Sequence, residues 1–146
     1  MSATNSLENK LLSLYFQNSN AANIGDATGL RGSTTAGNTY CSLHTADPGE
    51  APGTEQTTSE TAYTNYARQS QARSAGGWTV ASGVADNTAA ITFPQCGASG
   101  STITNTGLGS ATSGTGSLDF SGTASLAVSN GVTPSFAIGA LDISCD

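Results

Sequence analysis

The chain has 146 residues, of which 36% are hydrophobic and 10% charged, and a formal net charge of −6. The charged share lies well below the roughly 25% of an average globular domain, and Gly, Ser, Thr, Ala and Asn fill the difference. Its cations are Lys10, Arg31, Arg68 and Arg73, scattered along the chain. Without a basic cluster to hold phosphates, nucleic acid is excluded as a partner.

In chain order, "NSLENKLLSLYF" (5–16) reads as the one helix. Leu7, Leu11, Leu14 and Tyr15 recur at helical spacing, and Leu12 and Phe16 widen the stripe. Asn5 followed by Glu8 has the spacing of a capping box, which predicts the helix start at Asn5. "LYFQNS" also looks like a protease-tag remnant, but the acidic lead-in of such a tag is missing and the leucine stripe runs straight into it. A helix this short is marginal alone and must dock on something. Residues 18–37 have no periodicity and read as a long loop or arm.

Short strand candidates follow at 39–45, 62–69, 77–82, 87–93, 101–108, 117–120, 124–129 and 136–144. In the fourth, Ala89, Ile91 and Phe93 share one face; Trp78 with Val80, Leu118 with Phe120 and Leu126 with Val128 show the same period of two. Asn130-Gly131 between two such runs predicts a type I′ hairpin, whose central residues both need positive φ. "GSATSGTGS" (109–117) reads as a long loop between strands. The expected fold is all-β: an antiparallel β-sandwich or jelly-roll-like domain over 38–146, preceded by a short N-terminal helix and extended arm over 1–37.

The remaining signals are weak ones. No apolar run approaches the roughly 20 residues of a membrane span, and the start lacks the basic and apolar regions of a signal peptide, so the expectation is a protein used without Sec export. Cys41, Cys96 and Cys145 are odd in number and lack a CxxC, which predicts small free hydrophobes in a reducing cytoplasm.

The single histidine sits in "YCSLHTADPG", where alternation puts Tyr40, Ser42 and His44 on one face and Cys41 and Leu43 on the other. Ser42 and His44 as neighbours suggest a nucleophile with its base, and Asp47 a candidate third member. Asp47-Pro48-Gly49 is better read as a turn: Pro presets φ, Gly tolerates positive φ, and the Asp side chain can bond the backbone two residues on. The strand-then-turn reading makes His44 dispensable for folding and leaves no catalytic residue. No cofactor or metal site is expected either: Glu50, Glu55 and Glu60 fall in a loop, no EF-hand pattern exists, and "GLGSATSG" lacks the lysine of a phosphate loop. Tyr63, Tyr66 and Trp78 are read mainly as core, with a contact role for exposed aromatics as the alternative.

"LENKLL", "SLHTADPGEAPGTEQTTSETAYTNYARQ", "GWTV", "AAITFPQC" and "SLAVSNGVTPSFAIGAL" together resemble a group of small tailed-bacteriophage virion proteins, described either as tail fibre or as head-decoration (cement) proteins. That resemblance implies a structural role and no reaction. Its first reading is a capsid decoration protein on the head shell, partnered by the major capsid protein, a homo-oligomer with a trimer favoured, and made in the host cytoplasm. A tail fibre protein in host recognition is the second reading, and a carbohydrate-binding module a third. On the first reading Leu7, Leu11 and Leu14, with the arm at 18–37, are the candidate partner contacts; the alternative is that the helix plugs one end of its own sandwich.

Overall fold

The computed structural model describes residues 3–22, 24 and 32–145. In chain order the elements are α1 (Asn5–Gln17), β1 (Asn38–His44), β2 (Gln69–Ala72), β3 (Trp78–Ala81), β4 (Val84–Asn87), β5 (Ile91–Thr92), β6 (Ser101–Gly109), β7 (Leu118–Val128), β8 (Ser135–Phe136) and β9 (Asp142–Ser144). The chain is all-β with antiparallel sheets and one short N-terminal helix, the expected class. Two compact units form: residues 1–38, 72–90 and 136–146 make one, residues 39–71 and 91–135 the other.

In the first unit α1 lies against β3 and β4, which continue into a sheet of order β3-β4-β9. Its buried face is Leu12 and Phe16, four residues apart, and the Phe16 ring packs on Trp78 with centroids 4.6 Å apart. The two residues that seemed only to widen the stripe therefore dock the helix. The expected capping box does not form. Thr4 is the N-cap, its carbonyl accepting from the N–H groups of Leu7 (2.8 Å) and Glu8 (3.0 Å), so Asn5 already lies in the first turn.

The helix ends where Asn18 turns left-handed at φ 55°. Its side-chain amide then pairs both backbone groups of Ser33, accepting from N (2.6 Å) and donating to O (2.7 Å). Arg73 closes the same end: Nε donates to Tyr15 O (2.5 Å), Nη2 to Leu14 O (3.1 Å) and Nη1 to Ala36 O (3.0 Å). A cation on the free carbonyls of a helix C-terminus complements its dipole, and here the same guanidinium fastens the chain before β1. Of the expected arm, residues 23 and 25–31 lie outside the described residues.

The type I′ turn is not at Asn130-Gly131 but between β3 and β4. Ser82 (φ 53°) and Gly83 (φ 82°) are both left-handed, and Ala81 pairs with Val84 across them. At Asn130-Gly131 positive φ occurs only at Gly131 (84°). Val132 N still donates to Ser129 O (2.9 Å), but the turn carries the chain from β7 to β8, which belong to different sheets.

The second unit is built on a sheet of order β2-β1-β6-β7 with a β5–β8 ribbon. β7 runs unbroken where two strands were expected, because register shifts opposite Ile103/Asn105 and Leu108/Gly109 absorb the change in alternation. The strand expected at 62–69 does not form. Tyr63 and Tyr66 are three apart, a spacing that a strand would send to opposite faces. Tyr66 N instead donates to Tyr63 O (2.9 Å), Asn65 turns left-handed (φ 78°), and the two rings meet edge to face at 5.3 Å.

The strand expected at 87–93 is also interrupted. Buried Asn87 donates to Ala89 O (2.7 Å) and Ala137 O (2.8 Å) and accepts from the N–H groups of Ala140 and Leu141 (3.1 Å each). A side-chain amide competing for backbone groups in this way ends the ladder.

Candidate functional site

β1 is buried on both faces from Cys41 to His44, and this brings the suspected residues together. Ser42 Oγ lies 2.8 Å from His44 Nε2, the contact of a nucleophile with its base. The third position is held by a carbonyl: His44 Nδ1 is 2.8 Å from Thr58 O. A carbonyl only accepts, so Nδ1 carries the proton and Nε2 accepts from the Ser42 hydroxyl. Burial pushes the His44 pKa down, which favours this neutral form.

Both residues are 0% exposed. Gly107 of β6 pairs with Ser42 and covers the couple so closely that a Cβ there would meet His44 Nε2 at 2.9 Å and Ser42 Oγ at 3.1 Å. A substrate carbonyl has no place beside Ser42. Asp47 stays apart from them, accepting from Gly49 N (2.9 Å) in the predicted turn, with Gly49 at φ 78°. The expectation that His44 is dispensable for folding is corrected. It is a fully buried, twice-bonded link between β1 and the 55–61 segment.

That segment is held along its length. Thr45 N donates to Ser59 O (2.8 Å) and Thr61 N to Leu43 O (2.9 Å), and Gln56 donates from Nε2 to Tyr40 O (3.0 Å). At its end Arg68 and Glu60 form a two-pronged ion pair, Nε–Oε1 and Nη2–Oε2 both at 2.7 Å. Arg68 spends its other N–H groups on Gln56 Oε1 (3.3 Å), Ala111 O (3.0 Å) and Gly114 O (2.8 Å). Tyr66 OH donates to Glu60 Oε1 (2.8 Å) and accepts from Leu43 N (3.1 Å). Glu60 beside it and the bonds between them raise the Arg68 pKa further, while burial raises that of Tyr66. One buried guanidinium thus ties the 109–117 loop to the sheet. Sequence reasoning placed Glu60 among solvated loop charges and gave Arg68 no role, since nothing in the spacing shows that they meet.

Between residues 60–68 and 112–114 this network leaves a groove of about 420 Å³. Elsewhere, Leu7 is 39% exposed and Leu11 and Leu14 are half-buried, off the docked face of α1. Cys41 and Cys96 are buried free thiols and Cys145 a half-buried one; burial pushes the Cys41 pKa up to about 12. Glu50 and Glu55 are exposed. Among the described residues no group of three or more His, Cys, Asp or Glu is placed to hold a metal ion, and no helix is long and apolar enough to cross a membrane.

Fold and side chains together define a small antiparallel β protein whose buried polar residues fasten its loops to its sheet. The family model described as podophage GP4 fiber I protein gp80 matches residues 2–144, and the chain belongs to that family of phage virion structural proteins. No curated protein matches it.

Proposed function

We propose that this chain is a structural component of the tail fibres of a short-tailed phage, acting at the host-facing end of the virion and running no reaction of its own. The observation that carries this reading is the match to a fibre family over residues 2–144. It displaces shell decoration as the first reading, because the family's description names a fibre and nothing in the chain favours the head shell. The closed Ser42–His44 pair supports a role without catalysis, since neither atom is open to a substrate.

The partner moves with the location: neighbouring tail subunits take the place of the major capsid protein. Leu7, with Leu11 and Leu14 beside it, is the apolar surface of α1 available to them. The reading keeps the homo-oligomer, with the trimer as its form. Labelling the chain in purified particles tests the proposal: label at the tail supports it, and label distributed over the head overturns it. A mass in solution three times the 14.5 kDa of one chain supports the trimer, and a monomer removes it.

A further inference from the structure

The groove beside the Arg68–Glu60 pair has three properties that folding alone does not require. The first is an unpaired hydroxyl. Thr61 is 3% exposed, lines the groove, and its Oγ1 has no hydrogen-bond partner, although the groups around it are bonded. A buried donor left unpaired costs stability that valine, of the same shape, would not lose. Residues that break the rule of polar satisfaction are expected where a chain has a second task.

The second property is spare acceptor capacity on a fixed carboxylate. Glu60 Oε1 accepts from Arg68 Nε and Tyr66 OH, while Oε2 accepts from Arg68 Nη2. Each carboxylate oxygen can take about two bonds, and the side chain is 14% exposed, so Oε2 has room for one more donor from the groove. The paired guanidinium cancels the charge, so this position suits a neutral donor such as a hydroxyl rather than a cation.

The third property is rigidity with a mixed surface. Arg68 holds Ala111 O and Gly114 O, which fixes the far wall and sets the exposed Thr112 and Ser113 along it. Half-buried Tyr66, backed by Phe93 with the rings nearly parallel at 6.2 Å, supplies aromatic surface. Ordered walls cost little entropy on binding. A volume of about 420 Å³ lies in the range of small-molecule sites.

An acceptor for hydroxyl protons, hydroxyls on the facing wall, an aromatic surface and no net charge together fit a neutral ring bearing several hydroxyls. We propose that the groove between residues 60–68 and 112–114 binds a neutral pyranose residue, with Glu60 Oε2 accepting from a ring hydroxyl and Thr61 Oγ1, turned by one χ1 step, pairing with a second. The binding rests on the groove; only the identification of its source as a host-surface polysaccharide rests on the fibre reading.

Saturation-transfer NMR on the intact chain tests this with glucose, galactose, mannose, rhamnose and N-acetylglucosamine at millimolar concentration. At least one should receive transfer. Thr61→Val should keep or raise the melting temperature and weaken that sugar's binding by about tenfold, the loss of one hydrogen bond. Ser113→Trp, at an exposed loop position, should fold normally and abolish binding by filling the groove. Transfer to none of the five sugars overturns the proposal, as does unchanged binding in either variant. Sugar binding by a protein that labels the phage head would overturn the fibre reading alone, and a tail-located protein without sugar binding would overturn the groove alone.

Discussion

Replacing Arg68 by methionine keeps much of the side-chain volume and removes the guanidinium, so the result measures the polar tie rather than a cavity. Five N–H bonds disappear: two to Glu60, one to Gln56 and two to the carbonyls of Ala111 and Gly114. Breaking one partner of a buried ion pair costs about 3–5 kcal/mol. Glu60 is 14% exposed and keeps its bond from Tyr66, so its stranded carboxylate is partly solvated and the lower end applies. A loss of about 3 kcal/mol corresponds to roughly 9 °C in melting temperature for a chain of this size. Calorimetry reads that shift. A double-mutant cycle with Glu60→Met should return a coupling of about 2 kcal/mol, because the double variant strands no charge. A drop below about 3 °C for Arg68→Met, or additive single effects, would refute the claim that this pair anchors the loop.

His44→Ala strands the Thr58 carbonyl and leaves the Ser42 hydroxyl only its long bond to Gly107 O (3.4 Å), and should cost about 2 kcal/mol by denaturant unfolding, more than Gly49→Ala, whose Cβ meets nothing and whose cost of about 1 kcal/mol is the left-handed backbone alone. The lowered pKa of His44 means that the unfolded chain takes up a proton first, so this group's stabilisation is complete above its ordinary value near 6.5 and is lost as pH falls below it. Melting curves of wild type and His44→Gln across that range should converge toward the acid side. Asp86 has the opposite sign: burial and Asp142, its partner across β4–β9, raise its pKa, so stability falls as pH rises from the unfolded value through the folded one. Asp142→Asn should therefore raise the melting temperature at pH 7 and leave it unchanged near pH 3. Asn87→Ala removes four bonds to the backbone around residues 89 and 137–141 and should cost about 3 kcal/mol in the same unfolding assay.

The all-β class was legible because the apolar residues of β1, β3 and β6 alternate or run short between Gly-rich turns, and both signals are local. What stayed hidden is what depends on long-range partners. Asn87 sits in a sequence that alternates well, yet its amide finds backbone groups some fifty positions on and ends the strand. Tyr66 and Arg68 look like one face of a strand, with Tyr63 on the other, only when Asn65 is not seen to turn left-handed. Ser82-Gly83 and Asn130-Gly131 both punctuate the chain, but only the first is flanked by segments that pair with each other, so dipeptide preference alone chose the wrong hairpin. For the site, alternation correctly placed Ser42 beside His44. It did not show that β6 covers them, since burial on both faces of β1 leaves no periodic trace.

The polar ties also explain how a chain with so few charges and no bridged cysteines holds long loops in place. Side-chain amides and guanidinium groups bond the backbone of segments far away in sequence: Asn18 to Ser33, Gln56 to Tyr40 and Ala111, Arg73 to the end of α1, Arg68 to the 109–117 loop. Apart from the exposed Asn18–Ser33 pair, each tie is half-buried, where a bond is worth more than in water and where losing one partner strands the other. Such a network favours one arrangement of the loops over its neighbours, because shifting a loop breaks several bonds at once. A virion structural protein must present the same surface in every copy. Where that surface is built from loops, fixing them from within by side-chain hydrogen bonds leaves the outer side chains free for contact. The one buried hydroxyl without a partner among the described residues, Thr61 Oγ1, lies in the wall of the groove, and that is where binding is to be sought.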